Sequence, residues 1–186
     1  VQDRLVPGLS VAWLRLETDT EEYSVPPTPG NDAAEAETLQ RITDQRVCVD
    51  YVFWKDFLWS PCRVWEERRW VGRRAYMDRD ELIERFGEEK GNACPLNFSV
   101  VRMGDSNQDS TPKEMVLKQA VVYEIWDRMT KKVIWYVKGL GYLLDEKDDF
   151  LKLTGFEPCP RPMLANVSTS NTTPRPDYYM IQDQYS

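Results

Sequence analysis

The sequence predicts an α+β fold, mainly antiparallel β-sheet with one or two short packed helices and long Pro-rich loops. Three observations carry that expectation. Apolar and polar positions alternate over 10–17, 47–52, 120–127 and 133–138, the period of a half-buried strand. One stretch, Asp78–Gly87, has helix punctuation at both ends. Pro158, Pro160, Pro162, Pro174 and Pro176 hold the C-terminal part of the chain extended.

Taken in order, Val1–Val6 reads as the last turn of a helix stopped by Pro7-Gly8. Ser10–Glu17 puts Val11, Trp13 and Arg15 on one side and Ala12, Leu14 and Leu16 on the other, a strand. From Thr18 to Gln45 the character changes. Pro26-Pro27, Pro29-Gly30 and a run of acidic and small residues predict an exposed, mobile excursion, with a short helix over Ala33–Ile42. Val47, Val49 and Tyr51 alternate with Cys48, Asp50 and Val52 in a second strand. Trp54–Pro61 is too irregular for a strand and too short for a stable helix, and is expected to be an aromatic loop.

Val64–Met77 reads as a strand with a bulge near Gly72. Asp78 and Glu81 have the spacing of a capping box, Leu82, Ile83 and Phe86 supply the apolar face, and Gly87 is the stop. Gly91–Pro112 reads mostly as loop. Ala120–Asp127 and Val133–Lys138, joined by residues 128–132, form the clearest hairpin. Asp145–Asp149 is expected to be an acidic turn, and Asp177 to cap a helix running out through Ser186. The domain expectation is therefore one α+β unit over 1–176 and the start of a helix over 177–186. The absence of an initiator methionine and the polar end at Ser186 read as a piece of a longer chain.

Composition bounds the chemistry. With 41% apolar and 12% aromatic residues, 186 residues suffice to bury a core without metals or disulfides. The net charge of −7 makes the chain a poor general binder of DNA, whose non-specific affinity comes from lysine and arginine neutralising phosphates. There is no histidine, which removes the usual acid–base residue near neutral pH and the commonest metal ligand. Cys48, Cys62, Cys94 and Cys159 are widely spaced with no CxxC pair, which suits a reducing compartment rather than a zinc site or a disulfide framework. No apolar run approaches the length of a membrane span. Phosphate-binding glycine loops and the GxSxG elbow are missing, and no cofactor is expected.

The candidate site is Arg46–Met77, where Trp54, Phe57, Trp59, Trp65 and Trp70 interleave with Arg68, Arg69, Arg73 and Arg74. Two readings compete. Tryptophans can stack bases while arginines contact phosphates, which would make an independent nucleic-acid-binding module. Alternatively the aromatics fill a core and the arginines pair with acids such as Glu66 and Glu67. On one continuous strand Arg69 and Arg73 would share a face and Arg68 and Arg74 the other, so the charge would be split. That favours the scaffold reading. Asp148-Asp149 and Glu66-Glu67 read as solvated edges rather than metal ligands.

Five blocks in order carry a resemblance: PGLSVAWLRLE, VCVDYVFWKDFLWSPCRVWEERRWVGRRAYMDRDELIERFG, VVYEIWDRMTKKVIWYVKG, LKLTGFEPCPRPML and PRPDYYMIQDQY. Together they resemble the portal proteins of tailed bacteriophages, most of all the long chains of short-tailed phages and related prophages. The likeness spans nearly the whole chain except 18–45, and WKDFLWSPCRVWEERRWV is its most telling block. The resemblance implies a structural, non-enzymatic subunit of a ring, generally a dodecamer, at one capsid vertex. DNA would be packaged through the ring by the terminase and later ejected. Implied partners are other portal subunits, the terminase, capsid or tail-adaptor proteins, and DNA passing without sequence-specific contact; no membrane is implied. The implied location is the virion, after assembly in the bacterial cytoplasm. Among portal regions, the outward-facing wing fits a mixed α/β piece best, with PDYYMIQDQY approaching the stem; the clip is the alternative.

Overall fold

The computed structural model of the chain describes residues 2–25, 37–102, 115–168, 170 and 172–182. After a short helix, α1 (Gln2–Leu5), the strands β1 (Leu9–Val25) and β2 (Glu37–Val52) form a long antiparallel ribbon. Its register runs from Val11↔Val52 to Val25↔Glu37, with one irregularity between Asp19 and Thr20. The ribbon corrects the expected excursion: 18–25 and 37–45 are strand, so the helix over Ala33–Ile42 does not exist from Glu37 onward. Residues 26–36 lie outside the described residues. The acidic residues hid the signal, because Thr18, Thr20, Tyr23, Thr38, Ile42 and Thr43 are good strand formers. Cross-strand pairing satisfies the backbone while the side chains of 18–23 and 41–47 stay exposed.

The larger sheet takes the order β3 (Phe57–Trp59), β4 (Trp70–Met77), β6 (Met115–Asp127), β7 (Lys132–Val137), β8 (Asp145–Asp148). β5 (Phe98–Arg102) pairs with the first part of β6. The hairpin β6–β7 is the one expected. Three expectations change here. Within the aromatic loop, Phe57–Trp59 pairs with β4 as an edge strand. Val64–Met77 opens with a 3₁₀ turn at Trp65–Glu67, and the strand starts only at Trp70. The acidic turn is β8, an edge strand whose charges keep it wet and discourage further pairing.

Gly72 carries no bulge: it pairs in continuous register with Leu58 and Ile125. Its role is close approach, since a Cβ there would stand 2.7 Å from the Glu124 carbonyl oxygen. Gly72→Ala is therefore expected to destabilise by about 1–3 kcal/mol, read as a lowered urea midpoint at unchanged slope.

α2 (Arg79–Phe86) has the expected capping box: Asp78 Oδ1 accepts from Glu81 N at 2.9 Å, and Asp78 N donates to Glu81 Oε2 at 2.9 Å. Gly87 ends it with φ of 87°. The next segment is not all loop, because α3 (Glu88–Ala93) folds back on α2. Gly91 permits this, as a Cβ would lie 2.8 Å from Ile83 Cα. Residues 103–114 lie outside the described residues.

The Pro-rich part does run extended, through β9 (Met163–Leu164), β10 (Asn166–Val167) and β11 (Pro174–Arg175). β9 pairs with β1 by Leu9↔Leu164 and Ser10↔Met163. α4 (Asp177–Ile181) follows, but Asp177 is its first residue rather than its cap, a position held by Pro176. Residues 183–186 lie outside the described residues.

Two layers enclose the core. One face of the larger sheet presents Val71, Ala120, Val122, Trp126, Val133, Trp135 and Val137. One face of the β2–β1–β9 sheet presents Val11, Trp13 and Val52 against it, with Leu82 and Phe156 closing the sides. Arg73 reaches across: its guanidinium lies 4.9 Å from the Trp13 ring centroid and 3.8 Å from Asp50.

Candidate functional site in the tryptophan and arginine stretch

The aromatics of this stretch pack on one another and on the C-terminal segment. Phe57 is buried and stacks on Trp59, centroids 5.5 Å apart at 26°, with Trp65 at 6.3 Å. Trp59 Nε1 donates to Thr172 Oγ1 at 3.0 Å. Trp65 is 5% exposed, which leaves no room for a base to stack on it. Trp54 sits half-buried beside Phe53 at 5.8 Å, with Lys55 Nζ 5.1 Å from its ring. Trp70 is half-buried, and its carbonyl accepts from Ser60 N at 3.0 Å.

Three of the four arginines pair with acids of the same chain. Arg68 stacks on Trp65 at 4.0 Å, donates to the Trp65 carbonyl at 2.7 Å and pairs with buried Glu157. Arg73 donates through Nε to Glu124 Oε2 at 2.9 Å; Glu124 Oε1 accepts from Trp126 Nε1, also at 2.9 Å. Arg74 pairs with Asp56 at 3.2 Å and donates to the Lys55 carbonyl. Arg69 alone of the four has an exposed side chain; its backbone N donates to Ser60 Oγ at 2.7 Å.

The expected sharing of strand faces holds only for the opposition of Arg73 and Arg74. Arg68 and Arg69 precede the strand, because the 3₁₀ turn displaces its start. The structure thus collects Phe57, Trp59, Trp65 and Arg68 around Glu157 and Thr172, and separately Arg73 around Glu124, Asp50 and Trp13. It does not bring the arginines together as one cationic surface.

The partners Glu124, Glu157 and Thr172 escape a reading confined to 46–77. Glu124 had a signal: in VVYEIW it shares parity with Val122 and Trp126, both buried, so an acid there requires a buried cation. Glu157 and Thr172 lie 89 and 110 residues from Arg68 and Cys62, and no local pattern points to them.

A shallow cleft of about 320 Å³ opens beside the edge strand β3, lined by Phe57, Trp59, Pro61, Cys62, Thr172 and Thr173. Among the described residues no group of three or more cysteine and acidic side chains converges on a point where a metal could sit. No helix among them is long and apolar enough to cross a membrane. At the start of this stretch, Arg46 shares Glu17 with Arg15; the bonds from Arg15 and then Arg46 hold the Glu17 carboxyl down at about 2.

All four cysteines are free thiols. Burial pushes the Cys159 thiol up to about 12, and burial also raises Cys94. In the native protein, iodoacetamide at pH 8 is expected to modify Cys48 and Cys62, which are half-exposed, well before Cys94 and Cys159. Peptide mass spectrometry reads the order, and early labelling of Cys159 would contradict its burial. Alkaline stability follows with a definite sign. Above the unfolded thiol value of 9.0 the unfolded chain releases protons that folded Cys159 keeps until about 12. The unfolded state then binds fewer protons, so stability falls as pH rises through that window. Tyr76 and Tyr136, raised chiefly by burial, act in the same direction.

No protein-family model and no curated protein sequence matches this chain.

Proposed function

We propose that this chain is part of a structural, non-catalytic subunit of a bacteriophage portal ring, the conduit through which DNA is packaged and ejected. The observation that carries the proposal is the five ordered sequence blocks, which run from PGLSVAWLRLE to PRPDYYMIQDQY. The geometry supports it in a second way. Within 54–74, Phe57, Trp59, Trp65, Arg68 and Arg73 are engaged in internal packing and ion pairs, which is what a scaffold needs from its aromatics and arginines. An acidic net charge also suits a conduit that must not grip what passes through it. Within such a subunit the chain is assigned to the wing, with α4 leading toward the stem.

The test is assembly of the full-length protein that carries this chain. Electron microscopy and light scattering should show a closed ring, expected to be a dodecamer; a monomer at micromolar concentration would overturn the proposal. DNA binding across a salt series tests the other reading. Negligible binding is expected, whereas sub-micromolar affinity with a steep negative salt slope would make 54–74 the heart of a nucleic-acid-binding module.

A further inference from the structure

The two layers leave two different apolar faces turned outward. In the ribbon, the rows Ala12↔Tyr51, Leu14↔Val49 and Leu16↔Val47 lie on the face away from the core, since Val11, Trp13 and Val52 occupy the other. That outer face is markedly exposed: Val47 68%, Val49 66%, Tyr51 60% and Leu16 42%, followed by Phe53 at 47%. It ends at the edge of its sheet, because β2 pairs only with β1 among the described residues. From Gln45 to Val52 that edge has no proline, lysine or bulge to discourage another chain.

The second face belongs to the larger sheet. Its core side carries Val71, Trp126 and Val133, so the side chains of opposite parity, Trp70, Tyr123, Ile125, Ile134 and Tyr136, point away from the ribbon. All five stay partly exposed, and Tyr123 stacks on Tyr136 with centroids 4.9 Å apart. Both faces mix aliphatic and aromatic side chains, but they are different surfaces that look in opposite directions across a two-layer body.

We infer that these two faces are the two halves of a head-to-tail contact between copies of this chain, the ribbon of one copy lying on the outer face of the next copy's larger sheet. The inference rests on the ring reading above. Three features favour a second copy as the occupant. Both faces belong to every copy, so stacking covers both at once. They are different surfaces of one copy, and a contact between different surfaces on opposite sides generates a ring or a filament rather than a two-fold dimer. Covering Leu16, Val47, Val49, Tyr51 and Phe53 removes roughly 500 Å² from water, more than half of the ~800 Å² that each partner buries in a standard interface.

The experiment places opposite charges on the two faces of the full-length protein: Val49→Glu on the ribbon and Ile134→Lys on the larger sheet. Each single variant should melt close to the parent as a folded subunit yet lose ring assembly by microscopy and light scattering. An equimolar mixture of the two should regain rings. In the mixture, the acidic ribbon face of one variant can meet the basic sheet face of the other, while the unaltered faces meet each other. Rings that tolerate both single variants would overturn this inference and leave the portal reading standing. Failure of the mixture to recover, with either single variant unable to assemble, would also overturn it. A parent protein that forms no ring would instead remove the reading on which the inference rests.

Discussion

Trp126→Ala is expected to cost about 3–5 kcal/mol of folding free energy. The side chain is 1% exposed at the centre of the larger sheet, between Phe150 at 5.3 Å and Phe156 at 5.4 Å, the latter edge-on at 62°. Its neighbours come from β4, β7 and the segment after β8, so the cavity left behind cannot collapse onto one flexible element. The indole also donates to Glu124 Oε1 at 2.9 Å. Alanine would leave that buried carboxylate resting on Arg73 alone, adding a polar penalty to the cavity. Trp126→Phe, which fills most of the space but cannot donate, should lose less. Urea unfolding measures both, and a loss under about 1 kcal/mol for the alanine variant would show that Trp126 is not central to the core.

Glu157→Ala should cost a similar amount, about 3–5 kcal/mol, for an electrostatic reason. The Arg68 and Glu157 side chains are 10% and 3% exposed, so removing the acid strands a guanidinium that water cannot easily reach. Arg68→Ala strands the carboxylate instead. Two buried atoms of the pair, Arg68 Nε and Glu157 Oε1, have no hydrogen-bond partner among the described residues, so the pair is incompletely compensated even when intact. The double variant Arg68→Met/Glu157→Leu should therefore recover most of the stability lost by either single alanine. A cycle in which the losses simply add would mean that the two residues do not interact. By contrast, the exposed Arg15–Glu17–Arg46 network should contribute little at physiological salt.

The elements legible in the sequence were those whose information is local. The capping box at Asp78 and Glu81 is four residues of backbone chemistry, and β6–β7 carries its period and its turn in one stretch. The errors fell where the deciding partner is distant. β3 is a strand because Arg73, Gly72 and Val71 pair with it, not because Phe57-Leu58-Trp59 alternates cleanly. The distal ribbon, Thr18–Val25, is held by eight residues of one arm pairing with the other, against a composition that resembles loop. β8 owes its existence to β7, which offers Lys132 opposite Asp148, while Lys132 also pairs with Glu146. In the candidate site the aromatics and arginines could be named from sequence, but their roles could not, because Glu124 and Glu157 lie in other blocks.

The closure of β1 by β9 has a consequence for how the chain acquires its structure. Leu9 meets Leu164, Leu14 N donates to the Pro158 carbonyl at 2.6 Å, and Gly8 lies against Pro176. The first strand therefore waits for residues 158–164, about 150 positions later, before its second edge is occupied. Loop closure over such a span must precede the contacts that offset its entropy, which slows folding. During that interval Val11 and Trp13 face water, along with the sheet that will receive them. Chains halted before residue 156 should stay sticky and protease-sensitive on the ribosome, and protection should arrive cooperatively once residues 156–164 have emerged and seal the two layers.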